Sequence, residues 1–285
     1  MAFLTVLLVL FIERALWDGA PHRQHGWFRT YLARTGAFSG GWLTQKPWGA
    51  IAVVAPPLVV VGWLQVSLLP ALGDFFEFAF AAVVLLFSLG PRDLGRDVES
   101  YLKARDSGDR AQATLLANAF NPHTPGSDSD RTVINGILQG ACRRLIAPLF
   151  WFVLFGPVGA AAYRLSRLAG EQLADGQDPL APLARSAHGL EYVLDWAPVR
   201  VTAAGYAVAG NFDAVAASWK HCGTLDGDAD CPNDDALLVE TGLAALDQPG
   251  SGPSDILIAD SLALVWRNLT LWVAFAGAVS LFAAL

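Results

Sequence analysis

Lysine is scarce in this chain: Lys46, Lys103 and Lys220 are the only three among 285 residues. None follows a glycine or precedes Ser or Thr, so the sequence holds no GxxxxGK[ST] phosphate loop, and any nucleotide site would be of another kind. HExxH and GxSxG are missing as well, which removes the zincin and nucleophile-elbow patterns. Charge is sparse overall, at 16% of residues against about a quarter in soluble domains. The balance is acidic, with a net charge of −7 and no basic stripe interleaved with aromatics, so no nucleic-acid partner is expected. The N-terminus lacks a basic n-region followed by a small-residue cleavage site, so Met1–Ile12 reads as a retained helix rather than a signal peptide. No internal repeat is visible, which weakens a transporter reading.

Apolar residues are abundant instead. They make up 54% of the chain, with ten Trp and a mean hydropathy of +0.40. The apolar runs are spread from end to end, which predicts one polytopic integral membrane unit over residues 1–285. The expected fold class is an all-α membrane helical bundle with four spans, rising to six if two ambiguous segments cross. A bilayer core of about 30 Å needs ~20 apolar helical residues per crossing. Trp48–Leu72 meets that need, with Pro56-Pro57 inside it and Trp48 at its start, where aromatic belts lie. A short acidic turn at Asp74 and Glu77 leads into Phe78–Leu89, so residues 48–89 read as a transmembrane hairpin. Residues 91–144 follow with Lys103 and seven Arg, the mark of a cytoplasmic loop. Apolar residues at helical spacing (Leu94, Val98, Tyr101, Leu102) predict helix within it, and Asn121–Asp130 reads as a loop.

The stretch APLFWFVLFGPVGAAAYR, from Ala147 to Arg164, is the richest in information. It lies in a span read over residues 145–168 and broken by Gly156-Pro157. A Gly-Pro step at membrane depth frees backbone groups that neighbouring helices or water must satisfy. The last span is read at residues 271–285, entered past Trp266 and Arg267. Met1–Trp17 and Leu190–Gly210 are ambiguous; the second is either a span with its charges turned inward or a helix along the interface. Residues 211–260 form an acidic extramembrane segment with ten acidic residues and Lys220. If Leu190–Gly210 crosses, that segment is cytoplasmic, the arrangement that puts Arg267 on the favoured side. If not, it is external, where Cys222 and Cys231 can pair. Plain thiols are the default reading for those two. With His221 they match no standard zinc spacing, so no metal site is expected.

Ionisable groups in or beside spans are costly and mark functional hypotheses. The best set is Tyr163, Arg164, Arg167, Glu191, Asp195 and Arg200. Glu191 and Asp195 share one helical face at i and i+4, and Pro198 can turn Arg200 inward. Such a set can bind a phosphate or carboxylate ligand; it can equally be interhelical ion pairs and snorkelling arginines. Arg143 and Arg144 are weaker candidates for anion or lipid-headgroup contact, with positive-inside anchoring as the plainer reading. Gly156 and Gly159 read as close helix packing. His22, His25, His123 and His188 each stand alone and carry no ligand pattern.

FLTVLLVLFIER (Phe3–Arg14), the Ala147–Arg164 stretch, VLDWAPVRVTAAGYAVAG and the loop segment SYLKARDSGDRAQA together resemble the AmpE family of bacterial inner-membrane regulatory proteins. That family is grouped with the CobD/CbiB cobalamin synthases, which use ATP and magnesium. The resemblance implies a shared helical membrane fold. It also implies that the synthases' acidic motif is lost here, since its places hold Gln139, Gly140 and Arg143. A second motif keeps Tyr163 and Arg164, but Arg167 and Gly170 stand where Asn and Asp are implied. A third survives in part as Glu191, Tyr192, Asp195, Pro198 and Arg200. Magnesium-phosphate chemistry needs hard oxygen ligands that Arg cannot supply, so cobinamide-phosphate synthesis is not expected and no cofactor is assigned. What AmpE-like identity implies is a multi-pass inner-membrane sensor or modulator with an interior ligand cluster, expected to be non-enzymatic. It would be linked to peptidoglycan recycling, muropeptides, the amidase AmpD and AmpC β-lactamase induction in β-lactam resistance. The alternative is a divergent ATP- or muropeptide-dependent membrane enzyme of the CobD/CbiB kind.

Overall fold

The computed structural model describes residues 2–16, 26–38, 46, 48–89, 94–120, 130–173, 181–223, 234–246 and 254–282. Most of the Asn121–Asp130 loop and Cys231 lie outside the described residues. Every regular element among the described residues is helical. In order these are α1 (Ala2–Leu16), α2 (Gly26–Phe38), α3 (Gly49–Trp63), a π segment (Leu64–Leu68), α4 (Leu69–Leu72) and α5 (Asp74–Ser88). They continue as α6 (Leu94–Asp106), α7 (Arg110–Phe120), α8 (Asp130–Ala141), a second π segment (Cys142–Ile146) and α9 (Ala147–Leu173). The chain ends with α10 (Ala181–Ala209), α11 (Phe212–Gly223), α12 (Asp234–Leu246) and α13 (Ser254–Phe282). By length and composition three stretches can cross a membrane: Gly49–Leu72, Asp130–Glu171 and Leu257–Ala278. The protein is a multi-pass helical membrane protein.

The chain divides into two compact units, residues 1–91 with 147–196, and residues 92–146 with 197–285. In the first unit Phe28, Leu32, Ala50, Val53, Leu165 and Leu183 belong to one buried cluster. Tyr31 Oη donates to the Val53 carbonyl at 2.9 Å and ties α2 to α3. Outward, α3 to α5 expose Val59, Trp63, Val66, Phe75, Phe76 and Val83. A water-soluble monomer rarely exposes so continuous an apolar surface, and in a membrane protein it is the surface that meets acyl chains. Pro56 and Pro57 lie inside α3 without ending it, and the π segment follows about two turns later, the kind of local adjustment that absorbs proline's missing donor.

The second unit has a core of a different kind. Leu94, Val98 and Tyr101 of α6 share a buried cluster with Ile134 and Ile137 of α8, Leu238 of α12 and Leu264 of α13. On α13, exposed Asp260, Arg267 and Thr270 give way to exposed Leu271, Ala274, Phe275 and Ala278. The helix itself starts at Ser254, well before residue 271. Its early turns carry polar residues on the exposed side, which is why apolar content alone places the start late.

Cys142 is a buried free thiol, whereas Cys222 is disulfide-bonded. The plain-thiol reading of Cys222 is corrected. Cys222 should therefore resist a maleimide in intact cells and in lysate alike until a reductant is added. Quantitative labelling without reductant would show that the bond does not form.

Candidate ion cluster of the first unit

The site begins with a break in a helix. Within α9, Gly156 adopts φ 66° and ψ −153°, a region essentially restricted to glycine, and Pro157 then removes the next donor. A Cβ on Gly159 would lie 2.2 Å from the Trp151 carbonyl oxygen, so the two arms of α9 touch across the break. Trp151 Nε1 donates to the Leu194 carbonyl at 3.1 Å, and Tyr163 Oη donates to Asp195 Oδ1 at 2.7 Å. In a straight helix residues 151 and 163 would stand about 18 Å apart along the axis. Here they reach adjacent residues of α10, so α9 is bent sharply. The Asp130–Glu171 stretch is therefore not one rod.

The freed backbone is satisfied from α3's side of the same unit. Val158 N–H donates to Gln65 Oε1 at 3.3 Å, and a Cβ on Gly156 would come within 3.1 Å of Gln65 Nε2. Gln65 sits in the first π segment, where the extra residue per turn re-aims side chains relative to a regular helix.

Beyond the break, the second arm of α9 lies against the first half of α10 and forms the cluster. Tyr163, Arg164, Glu191 and Asp195 are all buried, at 1%, 7%, 9% and 6% exposure. Arg167 Nη1 donates to Glu191 Oε2 at 3.3 Å, and its Nη2 donates to Glu171 Oε1 at 3.4 Å. Arg164 Nη1 is 4.0 Å from Glu171 Oε1. Gly170 makes the packing feasible, because a Cβ there would stand 2.0 Å from Glu191 Oε1. The Glu191 carboxylate thus rests against bare backbone with a guanidinium at its other oxygen. Tyr163, Arg164, Glu191 and Asp195 are held in one buried patch, with Arg167 at its edge and the half-exposed Glu171 closing it toward the surface. In such a patch the low local dielectric strengthens each paired contact and makes any mismatch costly, and its guanidinium and carboxylate groups are the kinds that pair with an anionic or hydroxylated ligand.

Of the residues singled out from sequence, Tyr163, Arg164, Arg167, Glu191 and Asp195 come together in this unit. Arg200 belongs to the second unit, where its Nη1 donates to Asp234 Oδ1 at 2.9 Å. Arg143 Nη2 contacts both carboxylate oxygens of Asp235, at 2.6 and 2.8 Å, and Arg144 Nη1 is 3.5 Å from Asp97 Oδ2. Both arginines thus have acidic partners inside the protein. Glu171, Gln65 and the role of Gly170 were not singled out. Only Glu171 left a sequence signal, four residues after Arg167 on the same face.

The magnesium-phosphate group implied for the cobalamin synthases does not fit these residues. Arg143 occupies its place beside Asp235, Arg167 puts a cation on Glu191, and Gly170 offers no ligand atom. A divalent cation needs converging oxygens without a competing guanidinium, so no step through such a group is derived.

Comparison with known proteins gives a family, two relatives and no solved structure. Residues 1–226 match the family described as regulatory signalling modulator protein AmpE. A cobalamin biosynthesis protein CobD of Stutzerimonas stutzeri is 28% identical over 95% of this chain and 95% of its own. A protein AmpE of Shigella flexneri is 28% identical over 77% of this chain and 78% of its own. No solved structure matches.

Proposed function

The chain belongs to the AmpE family, and from that premise we propose that it is a regulatory modulator in the bacterial inner membrane. It works in peptidoglycan recycling and the control of AmpC β-lactamase, with a muropeptide or related cell-wall metabolite as ligand and a functional link to AmpD. The observation that carries this reading is the buried cluster of Tyr163, Arg164, Glu191 and Asp195, joined at its edge by Arg167 and the half-exposed Glu171. Charged groups in such a place are costly and mark functional sites in membrane proteins. A second reading, a divergent membrane enzyme, is favoured by the CobD relative's near-complete coverage; the misfit of the magnesium ligand set weighs against it.

The test is mass spectrometry of the cytoplasmic muropeptide pool, with β-lactamase induction measured in parallel, in a deletion strain re-expressing wild type or Glu191→Gln. The expected result is altered induction on deletion, restored by wild type and not by Glu191→Gln at equal membrane levels. Full restoration by Glu191→Gln would remove the cluster from function. A pool that changes chemically, with a precursor accumulating and a product lost, would favour the enzyme.

A further inference from the structure

The first half of α10 is built inside out. Glu191 and Asp195 are buried, whereas Tyr192, Val193 and Trp196 are 57%, 65% and 53% exposed. In water the cheaper arrangement is the reverse: about 1.5–3 kcal/mol is recovered for each large apolar side chain buried, and carboxylates keep their hydration outside. The helix does not lack positions for that arrangement. It turns its acids onto Tyr163 and Arg167 and leaves two aromatics and a valine outward.

We propose that Tyr192, Val193 and Trp196 form a lipid-contacting face, so that α10 is the bilayer-side wall of the ion cluster rather than a helix in water. Two observations and one chemical preference commit the face to lipid. Val59, Trp63, Val66 and Val83 already expose a lipid-type surface there, and the new face is of the same chemistry. Tyr and Trp are the side chains that favour the membrane–water boundary, where an apolar ring and a polar tip are both satisfied. The polar residues bracket the face closely. Arg185 and His188 are exposed just before it, Glu191 and Asp195 are buried beside it, and the next charged side chain, Arg200, is a third exposed and paired with Asp234. Glu191, Asp195 and Arg200 are the charged residues of this segment, and it is not among the stretches that length and apolar composition select as spans. The inference concerns the wall of the site proposed above and stands whether or not the cluster binds a muropeptide.

The experiment is site-directed spin labelling of full-length protein in phosphatidylethanolamine–phosphatidylglycerol vesicles. Val193→Cys and Trp196→Cys are made singly in a Cys142→Ala background. Val59→Cys on α3 serves as the lipid reference and Leu115→Cys on α7 as the comparison outside the hairpin. Collision with oxygen should exceed collision with a water-soluble nickel chelate several-fold at 193 and 196, as at 59. The proposal is overturned if 193 and 196 are as open to the chelate as an aqueous site. It is equally overturned if both reagents are excluded, which would mean a protein partner or second copy covers the face. Because the label sits on outward side chains, failure here leaves the complementation result for Glu191→Gln unaffected.

Discussion

Arg167→Met is expected to destabilise the first unit by about 3 kcal/mol or more, the usual cost of removing one member of a buried ion pair. The size follows from what stays behind. Glu191 is 9% exposed and rests against Gly170, so removing the guanidinium takes a cation from 3.3 Å of its charge in a place water reaches poorly. Glu171 loses the same arginine at 3.4 Å but is half exposed, and screening by solvent makes its share small. Replacing both partners, Arg167→Met with Glu191→Leu, should return most of the lost stability, since a well-packed apolar pair of similar volume often equals a buried salt bridge. Thermal unfolding midpoints in detergent decide the matter. A single variant that unfolds with wild type would mean the pair contributes nothing. A double variant as weak as the single would mean the loss lies in packing rather than in charge.

Gly156→Val is the second large effect, at about 2–3 kcal/mol. The backbone angles at Gly156 cost an L residue about 1–3 kcal/mol, and a β-branched side chain adds a collision with Gln65, 3.1 Å from the first carbon alone. The two causes separate in a cycle. In a Gln65→Ala background the collision disappears while the backbone strain stays, so the valine should still cost more than 1 kcal/mol. Gln65→Leu alone should cost about 1–3 kcal/mol through the unsatisfied Val158 N–H. Unfolding midpoints again report it. Tolerance of valine at 156 with wild-type stability would show that the helix can straighten there.

Several of these features are legible in the sequence for physical reasons, and others are not. The helical class follows from long apolar runs that only helices can satisfy in lipid. The site of the break follows from residue type, because a Gly-Pro pair can do little else inside a helix. Tyr163, Glu191 and Asp195 could be grouped because ionisable side chains in apolar context must find each other. Arg200 was grouped with them on proximity along α10, yet its partner Asp234 lies 34 residues away, beyond what spacing can reveal. Gln65 gave no signal, since LQVSL contains nothing that marks a cap for a distant backbone. Gly170 was read as a missing acid, whereas its geometric effect is to leave room for one contributed by α10. The division into two units was invisible because both are helical and the chain passes between them three times.

The Gln65–Val158 contact also imposes an order on biosynthesis. The acceptor precedes its donor by 93 residues, so a ribosome delivers the π segment well before the glycine-proline turn emerges. Chains assemble largely from the N-terminal side as they are made. The later arm can thus enter the bilayer as an ordinary apolar segment and bend only when it meets a glutamine already waiting there. Moving that glutamine downstream of the turn, by circular permutation for example, would ask the nascent protein to bend with nothing to hold the exposed amide.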